Sequence, residues 1–204
     1  MQKNRRKLWL GVGLGAVVAA IMAVSLGVSN ADTVSQQTTA GSQPATSQPA
    51  TSQQGLTQSQ QAAVTNAAQQ AIEASQEAME VGDNIADGCE DVGTPQADAA
   101  TAQALQAVLA GTTAFQSITQ AIDLIQNGDV LNGGLQLVQG VQAAQTALTA
   151  AEEALALAQG AVAANPNAGR SSQRMLNGAT QDVNSGTQAL ESAQSLLATA
   201  LNGG

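Results

Sequence analysis

The sequence predicts an all-α protein: an up-down-up-down four-helix bundle with alternating small and large heptad seams, preceded by an N-terminal hydrophobic helix and a disordered linker. Three observations carry this expectation. Apolar or small residues recur every three and four positions in four separate stretches, the spacing of a heptad seam. Gly, Pro and Asn punctuation divides those stretches at three points. The positions between the seams are mostly Gln, Ser, Thr and Asn, which suits solvated helix faces.

The first segment is residues 1–31. "MQKNRRK" is followed by "LWLGVGLGAVVAAIMAVSLGV", 21 uncharged residues at positions 8–28. A basic flank before a run long enough to cross a bilayer predicts export, with the flank held in the cytoplasm. "SNA" at 29–31 also offers small residues for a signal-peptidase site, with cleavage after Ala31. Removal as a signal peptide and retention as a membrane anchor are the two readings. Both place the remainder outside the cytoplasmic membrane, as periplasmic, extracellular or anchored protein.

Residues 32–56, "DTVSQQTTAGSQPATSQPATSQQGL", contain a tandem SQPAT and hardly any apolar side chains. Such a composition cannot offset the entropy of ordering, so a disordered spacer is expected.

The bundle is expected over 57–204, with helices at about 58–81, 95–126, 131–164 and 172–201. The first seam runs Val64, Ala67, Ala71, Ala74, Ala78, Val81. The second runs Ala104, Val108, Gly111, Phe115, Ile118, Ile122, Ile125. Thr94-Pro95 before it has the form of an N-cap with Pro at the first helical position, and Asp98 suits the positive end of the helix dipole. "QNGD" at 126–129 ends it. The third seam is Val141, Ala144, Leu148, Ala151, Leu155, Ala158, Val162, and "NPNAGRSS" at 165–172 breaks after it. The fourth is Leu176, Ala179, Val183, Gly186, Leu190, Ala193, Leu197, Ala200. Small residues in alternate layers let antiparallel helices approach closely.

Composition narrows function. Of six basic residues, Lys3, Arg5, Arg6 and Lys7 open the chain, and only Arg170 and Arg174 follow. From Asp32 onward two basic residues face 15 acidic ones, a net −13. That charge repels phosphate backbones, so nucleic acid is excluded as a partner. The chain has no His, and no Lys after position 7. Ser–His and Cys–His pairs, imidazole metal ligands, Schiff bases and P-loops are therefore absent. No cofactor is predicted, and no enzyme.

Chemistry concentrates in "VGDNIADGCEDVGTP" at 81–95, expected as a loop. Asp83, Asp87, Glu90 and Asp91 are the metal-ligand candidates, since hard cations take carboxylate oxygens. The stretch lacks the EF-hand pattern, with Ile85 and Thr94 at ligand positions counted from Asp83. Up-down topology would bring Arg170 and Arg174 to the same tip. Their plainest role there is pairing with the carboxylates; the alternative is that the tip, with Cys89, binds a cation or a partner protein. Cys89, between Gly88 and Glu90, is expected to be exposed and able to link two chains. Glu73, Glu77 and Glu80, spaced by four and three, read as a solvated helix face.

These expectations converge on a non-enzymatic, exported or membrane-anchored helical bundle of the cell envelope, with a structural or protein-interaction role. The alternatives are a bundle that binds a cation or small ligand through 82–95, and a self-assembling surface component.

Overall fold

The computed structural model describes residues 56–90, 92–165 and 169–202. The expected signal or anchor, and the spacer as far as residue 55, lie outside the described residues. Four helices pack against one another, and no strand occurs among the described residues. They are α1 (Gln58–Cys89), α2 (Pro95–Gln126), α3 (Val130–Ala164) and α4 (Arg170–Asn202). No helix among the described residues is long and apolar enough to cross a membrane.

Local signals set most of the boundaries. Thr57 caps α1 through a capping box: its hydroxyl accepts from the Gln60 amide, while the Gln60 side chain accepts from the Thr57 amide at 3.0 Å. Thr94 caps α2, its hydroxyl accepting from the Ala97 amide at 3.2 Å, with Pro95 following. Gly128, at φ 87°, turns the chain out of α2 in a conformation that favours glycine. Asp129 then caps α3.

Cross-links between helices fix their directions. Gln60 Nε2 donates to the Ala200 carbonyl at 3.1 Å and Asn84 Nδ2 donates to Asp182 Oδ2 at 2.9 Å, so α1 and α4 are antiparallel. Gln103 to Glu153 and Gln136 to Gln120 do the same for α2 and α3. The α2–α3 and α1–α4 pairings are the most extensive, and α1 also packs on both α2 and α3. The α3–α4 contact is the thinnest, and α2 and α4 do not touch. The cross-section is thus a lozenge, with α1 and α3 on its short diagonal.

The core is made largely of alanine. Every expected seam residue of α1 and α3 is buried, and in α4 all but the half-buried Leu197 are. The α2 seam needs correcting. Its buried stripe is Ala97, Ala100, Ala104, Ala107, Gly111, Ala114, Ile118, Ala121, while Val108, Phe115, Ile122 and Ile125 are only half-buried. Small residues win the central positions because α2 lies against α1 almost backbone to backbone. A β-carbon at Gly82 would lie 2.8 Å from the Ala104 carbonyl oxygen, and one at Gly111 would lie 2.9 Å from that of Ser75. The larger side chains flank that contact.

Such a core contributes less than a leucine core, by roughly 0.8 kcal/mol for each methylene it lacks. The few large and fully buried side chains, Ile85, Ile118, Leu137 and Leu176, therefore carry a disproportionate share.

Candidate functional site

The acidic stretch expected as a loop is mostly helix. α1 continues eight residues beyond its expected end, to Cys89. Two glycines in this segment cost about 1 kcal/mol each in helix propensity. The offset is visible in what the segment buries: Val81, Gly82, Ile85, Gly88 and Cys89 continue the inward stripe. Gly82 and Gly88 are there to admit neighbours, α2 against the first and Met175 and Leu176 of α4 against the second.

The extension corrects the reading of Cys89. It is 4% exposed and packs in the core with Ile85, Val92 and Leu176, and burial pushes its thiol pKa up. A disulfide to a second chain requires a surface thiol, and the folded bundle does not present one.

Asp83 and Asp87 stand one turn apart on the exposed face of α1, and Glu90 caps its end. Burial, then Asp87, raises the Asp83 pKa. Asp91 lies outside the described residues. Arg170 and Arg174 are exposed on the first turns of α4. The expected meeting of the two connections does occur: Asn165 Nδ2 donates to the Val92 carbonyl at 3.1 Å, and Gly88 faces Met175. That end of the bundle thus gathers Cys89, Arg170, Arg174 and the acidic residues, with the thiol turned inward.

Among the described residues, three carboxylates come together further down the bundle, and one of them is a residue that sequence reasoning missed. Glu77, Glu80 and Asp182 place carboxylate oxygens within 4.8 Å of one another. Glu77 and Glu80 are one turn apart on α1, and Asp182 comes from α4. Asn84 holds Asp182 through the 2.9 Å hydrogen bond. Gly186, one turn beyond Asp182, makes the approach close, since a β-carbon there would lie 3.1 Å from the Glu77 Cβ.

The electrostatics follow from that crowding. Burial, then Asp182, then Glu80 and Glu73 raise the Glu77 pKa. Burial, then Asp182 and Asp83 raise that of Glu80. Three acceptor-only groups and one amide form an oxygen-rich cradle suited to a hard cation or a shared proton. The expectation that Glu77 and Glu80 form merely a solvated face is therefore incomplete. The three flank the inward stripes that carry Ala78 and Val183 on helices about a hundred residues apart in the chain, and nothing local in the sequence marks that they meet.

A second feature is an open groove of about 490 Å³ between α2 and α3, lined by Gln103, Gln106, Gln142, Gln145, Thr146 and Glu153 among others. It is polar and shallow, and Gln103 Nε2 donates to Glu153 Oε2 across it at 2.6 Å.

Compared with known proteins, the chain matches no family model, no curated protein and no solved structure.

Proposed function

We propose that the chain is a non-enzymatic, exported helical-bundle protein of the cell envelope, an up-down-up-down bundle carried on a spacer and acting through interaction with other molecules. The observation that carries this reading is the basic flank and 21-residue apolar run ahead of a helical domain with no imidazole. The buried surfaces of the domain are given over to helix packing. The threonines add support. Hydroxyls of Thr65, Thr101, Thr119, Thr146, Thr180 and Thr199 all donate to the carbonyl four residues earlier, so they serve their own helices.

Membrane fractionation with intact-mass measurement tests the reading. A mature N-terminus at Asp32 in a soluble exported fraction marks a secreted bundle, and retention of residues 1–31 in the membrane marks a tethered one. Full-length chain in the cytosol overturns export altogether.

A second reading is favoured by one specific observation, the 4.8 Å grouping of Glu77, Glu80 and Asp182. In this reading the bundle takes a divalent cation there, on the side of α1 and α4, and not through the Asp83–Asp91 stretch. Calorimetric titration with calcium and magnesium decides it, and silence at millimolar cation removes it.

A further inference from the structure

The two ends of the bundle differ in kind. The start of α1, the end of α4 and the α2–α3 turn lie at one end: Gln60 bonds to Ala200, and Gly82 on Ala104 with Gly111 on Ser75 makes α2 antiparallel to α1. At this end Leu131 and Leu201 are 76% and 74% exposed, and Leu135 stands one turn from Leu131. Half-buried Leu124, Val130, Leu196 and Leu197 lie in the last or first turns of their helices at the same end. Single exposed leucines are ordinary, whereas several gathered at one end mark a contact surface. In the two turns nearest this end, Asp123 and Asp129 are the charged residues among those described. Glu77, Glu80, Asp83, Asp87, Glu90, Asp98 and Asp182 all lie toward the other end.

The chain joins the bundle at this same apolar end, through Leu56 and Thr57. Residues 29–55 separate it from the apolar run at 8–28. Covalent connectivity limits the separation those residues can span to about 90 Å. Once residues 8–28 sit in a bilayer, the end bearing Leu131 is held near its surface at high effective concentration. The far end carries more charged side chains of both signs, Arg170 and Arg174 among them, which resist burial at an apolar boundary, and the chain-joining end carries fewer.

Resting on the reading that residues 8–28 are retained in a membrane, we propose that the chain-joining end of the bundle is a lipid-facing surface, which seats Leu131, Leu135 and Leu201 in the headgroup boundary and directs the acidic end away. Shallow insertion of apolar side chains at this boundary is the usual mode of interfacial binding. Leu105 and Leu109 lie on the lateral face of α2, outside this surface.

The test uses the full chain in phosphatidylcholine vesicles with and without brominated acyl chains, which quench tryptophan on contact. Trp9 is the only tryptophan and reports on the apolar run. In a Trp9→Phe background, Leu131→Trp and Leu201→Trp report on the surface, and Gln173→Trp reports on the opposite end. All three positions are exposed, so the fold is preserved, as circular dichroism would check. The expected result is strong quenching of Trp9 in the unaltered chain and of the probes at 131 and 201, with the probe at 173 unchanged. Quenching of Trp9 with full emission from 131 and 201 overturns the surface and leaves the tether standing. No quenching of Trp9 removes the tether and the surface together. A blue shift at 131 that follows protein concentration and ignores lipid assigns the patch to a second copy, and also overturns the proposal.

Discussion

Gly82 on α1 rests on the Ala104 carbonyl of α2, so close that a β-carbon at position 82 would lie 2.8 Å from that oxygen and 2.5 Å from Val108 Cγ2. Backbone cannot yield as a side-chain tip can. Gly82→Ala is therefore expected to destabilise the bundle by about 1–3 kcal/mol, although alanine is the better helix former. Gly134, with nothing within 4 Å of its would-be β-carbon, gives the contrast. Gly134→Ala should stabilise by up to about 1 kcal/mol. Urea denaturation of the two variants measures both signs.

Crowding of Glu77 and Glu80 makes stability depend on pH in a defined direction. Each has a folded-state pKa above its ordinary 4.5, so the folded bundle holds these protons more tightly than the unfolded chain does. Their contribution is fully present below 4.5 and is lost as pH rises through the folded values. These groups should thus make the bundle melt higher at about pH 5 than at neutrality. Glu80→Gln should flatten that dependence and raise the melting temperature at neutral pH. A melting series that is unchanged by the substitution would show that the cluster is electrostatically relaxed.

Calcium offers an independent probe of the same cluster. If the carboxylates close on the ion, saturation at a hundredfold over the dissociation constant adds about 2.7 kcal/mol. Asp182→Asn and Glu80→Gln should each abolish the shift, while Asp87→Asn should leave it intact. Scanning calorimetry with and without the ion reads all three.

Cys89 should resist thiol reagents in the native state and react at once in urea, because its sulfur is buried and its pKa raised. The chain should run as a monomer on non-reducing gels when it is kept folded. Rapid native labelling would mean that the end of α1 opens readily.

Much of this architecture was legible in the sequence. The α3 and α4 seams were readable because each mixes larger residues with alanine in strict register, as in Val141, Ala144 and Leu148, and the α1 seam because its alanines recur every three and four positions between Val64 and Val81. The α2 stripe was not, because hydrophobicity drew attention to Val108, Phe115 and Ile122 while the true contact demanded the absence of side chain. The end of α1 was misread because "GDNIADG" has loop composition; only the placement of Ile85 and Cys89 on the inward stripe shows why it stays helical. Asp182 was invisible as a site residue, since nothing local to "QDVNSG" shows that Gly186 will bring it beside Glu77.

The lozenge arrangement also sets an order of assembly. α2 and α3, joined by the short Asn127–Asp129 turn, pair most extensively and through contacts local in sequence. α1 finds its main partner, α4, only after a far longer loop has closed, which costs more chain entropy. Local hairpins form quickly and distant pairings slowly. With α2 and α4 never in contact, α4 gains little from the finished hairpin beyond its thin seam with α3. Capture of α4 by α1 is then expected to come late in folding, and Glu77, Glu80 and Asp182 to meet only in that step.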